Sequence, residues 1–166
     1  TINQSSHTAM SLLWDSLVEA IIRPPRDQAF SDHDLTGGTS ATFEHPQSRG
    51  TKWCREDIIL PGELGNLCGY HIKPLLPPPT PMPVVIYLHT NAGSRKDARE
   101  IIQHVVPHCT VFSFDFSGCG HSDGDWVTLG YNEVKDVRTV VAHLRQDPTV
   151  GAIAFWGRSM GAVSAL

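Results

Sequence analysis

The sequence predicts an α/β fold in which an antiparallel hairpin leads into a mostly parallel sheet with flanking helices. Three observations carry this. The continuously apolar run at 84–88 reads as a strand covered on both faces, 110–114 as the next buried strand and the apolar run at 151–156 as the last strand. Segments of helical period, 97–106 and 131–145, separate those runs. Ahead of them, two strand-like stretches are joined by Pro61-Gly62-Glu63-Leu64-Gly65, the punctuation of a hairpin. Strand–helix–strand–helix–strand implies parallel strands joined by right-handed crossovers.

Taken in order, residues 10–22 have the spacing of a helix. Met10, Leu13, Trp14, Leu17, Val18 and Ile21 share one face, and Asp15 and Glu19 lie on another. Arg23-Pro24-Pro25-Arg26 stops it, because proline lacks an amide donor and restricts its predecessor. The acidic rather than basic charge argues against a membrane-surface helix. Residues 1–51 are therefore expected to be an N-terminal helix and loop that pack on the domain, with 27–50 as loop. The domain proper is expected at 52–166, opening with strands at 52–60 and 66–73. Six prolines among residues 74–83 make a stiff surface connection. After the strand at 84–88, Ser94 and Asp97 can form a capping box for the helix that Pro107 ends. The second helix turns Val134, Val137, Val140, Val141 and Leu144 inward.

Composition excludes several classes. The chain has 166 residues, a 40% apolar content and a net charge of −4, which suit one domain with a real core and give no reason for a nucleic-acid partner. No segment approaches the ~20 apolar residues of a membrane span. Cys54, Cys68, Cys109 and Cys119 form no C-x-x-C pair, and their spacing suits neither zinc nor a disulfide framework. Reduced thiols in a cytoplasmic protein are expected. His104 and His108 have metal-ligand spacing, but Pro107 interrupts the helix that would align them.

The chemistry gathers at three loops that leave the carboxyl edge of the sheet, where ligands bind in such folds. Gly157-Arg158-Ser159-Met160-Gly161 has the form G-x-S-x-G between a strand and a run of small residues, the setting of a nucleophile elbow. Ser159 is the candidate nucleophile, and Met160 offers a backbone N–H to a developing oxyanion. Arg158 suits either substrate contact or a salt bridge. His89-Thr90-Asn91-Ala92-Gly93-Ser94 is where the second oxyanion donor arises; the N–H of Asn91 is the first choice and Thr90 the second. His89 precedes the serine, whereas this architecture places its base after it, so His89 reads as a loop brace. The third loop runs from Asp115 to Gly124. Gly118 and Gly120 begin a dinucleotide fingerprint, but Asp123 stands where the next glycine is required. Asp115, Asp123 and His121 read as bracing groups.

Together these segments resemble the α/β-hydrolase fold superfamily of serine hydrolases. The strand and oxyanion loop lie at 84–93, the following strand and glycine loop at 114–122, and the elbow at 156–162. The wording is most similar to a plant and protist group described as serine aminopeptidase-like or esterase/thioesterase-like. The resemblance implies an incomplete α/β-hydrolase fold, truncated after the elbow, since the superfamily's order is Ser, then Asp or Glu, then His. It implies hydrolysis of a small ester, thioester or peptide-like amide through an acyl-enzyme on Ser159, with acid and base beyond Leu166 and no metal or organic cofactor. Thr90 departs from the glycine usual at its place. A non-catalytic hydrolase-fold scaffold is the alternative.

Overall fold

The structure is a computed structural model that describes residues 4–23, 26, 31, 35–36, 41–48 and 50–166. Helix α1 spans Gln4–Ile22, strand β1 Thr42–Glu44, β2 Lys52–Gly62 and β3 Gly65–Pro74. Strand β4 covers Met82–Leu88, and a 3-10 turn at Arg95–Ala98 leads into α2, Arg99–Val105. Strand β5 (Thr110–Phe114), α3 (Glu133–Leu144), β6 (Val150–Gly157) and α4 (Met160–Ser164) follow. The six strands form one sheet in the order β1-β2-β3-β5-β4-β6. β2 and β3 make the expected hairpin, closing at Gly62 opposite Gly65, and β3 pairs antiparallel with β5. β4 runs parallel to both β5 and β6.

Period-two alternation sorts the strand residues into two cores. Val84, Ile86 and Leu88 of β4 join Phe112 and Phe114 of β5 beneath Val137, Val140 and Leu144 of α3. Val85 and Tyr87 of β4 and Val111 of β5 face the other way, against Ile101 and Ile102 of α2. A strand sandwiched in this way has no polar face, which is why 84–88 is continuously apolar. The Ser94–Asp97 capping box forms, with the Ser94 N–H 3.2 Å from Asp97 Oδ2.

Three local expectations are corrected. Part of the segment expected as loop is β1, three residues paired antiparallel with β2; so short a strand leaves no periodic signal. Met10, Leu13, Trp14 and Leu17 of α1 stand exposed instead of lying against the domain. Periodicity reports that a face is apolar, not what covers it. At the C-terminal end of α1, Val127 N–H donates to Ile22 O at 2.8 Å, and just beyond it the Arg23 guanidinium lies 4.5 Å from the Trp126 ring centre. Within α3, Val134 and Val141 are half-buried, not fully inward. Pro24 and Pro25, and parts of 27–50, lie outside the described residues.

β6 ends the described sheet and pairs with β4 alone. Several of its apolar side chains are open to solvent, with Phe155 42% and Trp156 46% exposed, while Val150 and Ile153 pack against the core. An apolar strand with one free edge is a template for further pairing. Residues 1–166 expressed alone are therefore expected to self-associate or to fold incompletely, as read by size-exclusion chromatography and thermal melting. A clean monomer with a cooperative transition would contradict this.

Candidate functional site at the carboxyl edge of the sheet

Register decides which loops meet. Leu88 of β4 is paired with Gly157 of β6, and Tyr87 with Trp156 on one side and Ser113 on the other. The chain leaves β4 at His89, β5 at Asp115 and β6 at Arg158, so the three glycine-containing loops emerge side by side.

The turn after β6 holds Ser159 at φ +50° and ψ −117°. That backbone conformation is costly for any residue with a Cβ, by about 1–3 kcal/mol. It persists because both flanks are pinned. Arg158 N–H donates to Leu88 O at 3.0 Å, and Gly161 and Ala162 N–H turn back to Arg158 O and Ser159 O, each at 2.9 Å. The flanking glycines are demanded by close approach. A Cβ at Gly157 would lie 2.6 Å from Gly161 O and 2.7 Å from Ala162 N, and one at Gly161 would strike the Leu88 carbonyl and stand 2.8 Å from His89 O. Ser159 itself is exposed and its side chain makes no capping bond to α4. Met160 is the first residue of α4, and first-turn N–H groups have no partner within a helix.

The loop after β4 is braced on both sides of its tip. Gly93 N–H closes a turn onto Thr90 O at 3.0 Å, leaving Asn91 and Ala92 at its tip. The His89 ring is fully buried. Its Nε2 accepts the Phe116 N–H at 3.0 Å, so Nδ1 carries the proton and donates to Thr90 O at 2.5 Å. Burial depresses its pKa, which keeps the ring neutral. With both nitrogens engaged, His89 is a brace between two loops and not a base. The Cys119 thiol, buried and pushed up to about 12 by desolvation, lies 3.6 Å from Asn91 O.

The carboxylates of the third loop are likewise committed. Asp115 accepts from Arg95 N–H at 2.6 Å and from His121 N–H at 2.9 Å, and is ion-paired with the Arg95 guanidinium. Asp123 Oδ2 accepts the Asn66 N–H at 2.8 Å. His121 Nδ1 lies 3.1 Å from Arg95 Nη2. α2 ends at Val105, which puts His108 off the helix that carries His104. No group of three or more His, Cys, Asp or Glu among the described residues is placed to hold a metal. The four cysteines are free thiols.

Three side chains that sequence reasoning passed over also shape the site. Glu133 accepts from Thr128 N–H, Thr128 Oγ1 and Gly130 N–H at 2.7–2.8 Å. Asp136 accepts from Ser117 N–H at 2.8 Å and Ser117 Oγ at 3.0 Å. Two acids in the first turn of a helix, after a glycine loop, were the available signal. Glu100 of α2 accepts from Tyr87 Oη at 2.8 Å and from Arg158 Nη1 at 3.0 and 2.9 Å. Arg158 thus takes the salt-bridge role, and nothing in the sequence pairs it with Glu100.

Burial raises Asp136 to about 6, against the opposing bonds from Ser117. A carboxyl with a raised folded-state pKa contributes stability that is fully present below its unfolded value of 3.8 and is lost as pH rises through about 6. The stability of Asp136→Asn relative to wild type should therefore increase by about 2–3 kcal/mol from about pH 4 to about pH 7 in denaturant unfolding. A flat difference across that window would show that Asp136 ionises normally.

This geometry has a counterpart among known proteins. The alpha/beta hydrolase fold family model matches residues 83–166, from β4 through the elbow to Leu166. The chain belongs to the alpha/beta hydrolase fold family. Among solved structures, an esterase from Pyrococcus furiosus is similar at 27% identity and a TM-score of 0.65, over 87% of this chain and 49% of that one. A serine hydrolase without a lid from Xanthomonas campestris superposes with a TM-score of 0.53 at 24% identity, over 68% of this chain and 54% of that one. The ferulic acid-bound Est1E of Butyrivibrio proteoclasticus does so at 23% identity and 0.53, over 64% and 44%. The last two show likeness of fold alone. Residues 1–166 span about half the length of the esterase structures they match best among these. No curated protein matches the chain in sequence. No helix among the described residues is long and apolar enough to cross a membrane. Family membership and the esterase likeness make the protein a hydrolase-fold protein with hydrolase relatives.

Proposed function

We propose that the full-length protein is a serine hydrolase that cleaves a carboxylic ester, thioester or peptide-like amide through an acyl-enzyme on Ser159. The observation that carries this is the backbone of Ser159, strained, exposed and held between two glycines at the carboxyl edge of the sheet. A strained nucleophile position with no packing role is what a presented hydroxyl requires. The amides of Met160 and Asn91 are the oxyanion donors, placed on the two neighbouring exits of β6 and β4. The acid and base are supplied from outside residues 1–166. In support, His89, His121, Asp115 and Asp123 are each engaged in bracing bonds. The esterase likeness favours esters over amides. The mechanism calls for no metal or organic cofactor, and the substrate is a small acyl or peptide compound.

The test is covalent labelling. A fluorophosphonate should modify the folded full-length protein, and peptide mapping should find the adduct on Ser159. Absence of label on a folded protein would overturn the reading. Thr90, whose side chain lies at the loop where the family usually carries glycine, favours the alternative of a non-catalytic scaffold. That alternative further requires that the reading frame beyond Leu166 lack an acid and a histidine at later strand ends.

A further inference from the structure

One carboxylate touches both halves of the proposed machinery. Glu100 Oε1 receives the Tyr87 hydroxyl at 2.8 Å and Arg158 Nη1 at 3.0 Å, and Oε2 receives the same Nη1 at 2.9 Å. Tyr87 is the penultimate residue of β4, immediately ahead of the oxyanion loop. Arg158 is the residue before Ser159. Glu100 itself sits in the first turn of α2, the helix into which the oxyanion loop runs. The three share an open cleft of about 710 Å3 with Thr90, so the tie borders the oxyanion loop directly.

Stability does not account for such a tie. The side chains of Arg158 and Glu100 are 55% and 43% exposed. Exposed ion pairs contribute little to stability, because water screens them and holding long side chains costs entropy. Placement is a different matter. The oxyanion donors come from two loops that no backbone hydrogen bond between Asn91 and the elbow joins directly among the described residues. Their separation is set beneath by β4–β6 pairing and the Arg158 N–H to Leu88 O bond, and above by whatever side chains span the loops. A misplacement of about 1 Å in a donor can cost about 100-fold in rate.

We infer that Glu100 is the positioning residue of this site: by holding Arg158 to Tyr87 and to α2, it keeps the elbow in register with the oxyanion loop. This rests on the serine-hydrolase reading above and deepens it. Tyr87 orients the carboxylate, whose two oxygens then fix the guanidinium and, through the backbone, Ser159.

The experiment uses the full-length protein and compares wild type with Glu100→Ala, Glu100→Gln, Arg158→Ala and Arg158→Lys. Fluorophosphonate labelling rates, kcat and KM on an activated ester, and Tm are measured on each. Glu100→Ala and Arg158→Ala should label about 10- to 100-fold more slowly, with kcat falling and KM held. Arg158→Lys should recover part of the rate, since an ammonium still reaches Glu100 without the planar fork. Melting temperatures should stay within about 4 °C of wild type, as for an exposed pair. Glu100→Ala and Glu100→Gln both labelling at the wild-type rate overturn the inference, as does a rate loss that follows Tm across the set. A folded wild-type protein without label on Ser159 overturns the hydrolase reading, and this inference with it.

Discussion

Replacing Ser159 with alanine in the full-length protein is expected to lower ester hydrolysis by about 10⁴-fold or more and to abolish fluorophosphonate labelling, with the fold retained. The hydroxyl is the proposed point of acyl attachment, and neither Ser164 nor Cys119 is placed to take over. Ser164 Oγ is buried and donates to Met160 O at 2.8 Å, and the Cys119 thiol is buried with its pKa raised. Donors at Asn91 and Met160 would remain, which is why residual turnover is expected. Ser159→Gly separates loss of the hydroxyl from backbone strain. Glycine tolerates φ +50° without a Cβ clash. That variant should be equally inactive yet more stable than wild type by about 1–3 kcal/mol in denaturant unfolding. Activity retained in Ser159→Ala would remove the serine from the chemistry. A Ser159→Gly protein no more stable than wild type would show that the turn is not strained.

Gly161→Ala should damage the same site from the opposite direction. The added Cβ meets backbone, the carbonyls of Leu88 and His89, and not the movable end of a side chain. Those carbonyls are fixed: Leu88 O already accepts the Arg158 N–H, and His89 is locked between Thr90 and Phe116. α4 must then lift away from β4, which separates Met160 from the oxyanion loop and uncovers buried Met160. A loss of about 3 kcal/mol or more, with labelling reduced to background, is expected. Denaturant unfolding and labelling of one preparation check both. A Gly161→Ala protein of wild-type stability and reactivity would mean that the tight contact between α4 and β4 is absent.

Both predictions concern residues that the sequence singled out, and the reason is physical. A serine in a disfavoured backbone conformation, flanked by positions without room for a Cβ, is confined to a narrow set of residue types, so G-x-S-x-G is visible in one sequence. The strands at 84–88 and 110–114 were legible for a similar reason. Burial on both faces leaves mostly apolar residues, a run rather than an alternation, and the two polar side chains of 110–114, Thr110 and Ser113, are buried with hydrogen-bond partners. The capping box at Ser94 and Asp97 and the bracing roles of Asp115 and Asp123 were legible because they are local, or because their loops could be set beside one another from strand order.

Bonds between distant segments were not legible. Glu100 to Arg158 spans 58 residues, and Cys119 to Asn91 spans 28. Neither residue type nor spacing announces a partner that the fold brings close. Buried acids such as Asp136 read as surface charge on a helix until the Ser117 loop is placed over them. The exposed face of α1 shows the converse, since an apolar stripe in a sequence carries no record of its occupant.

The amino-acid sequence by itself determined the α/β class, the order of strands and helices from residue 52 onward, and the serine that the turn presents, because each of these is written in local steric and burial patterns a few residues long. Tertiary structure decided the sheet order that places β4 between β5 and β6, the Phe116 partner that locks the His89 brace, and the Glu100 tie across the site. Those depend on pairing register and on side chains that meet only after the chain has folded back on itself, and no local pattern encodes such meetings.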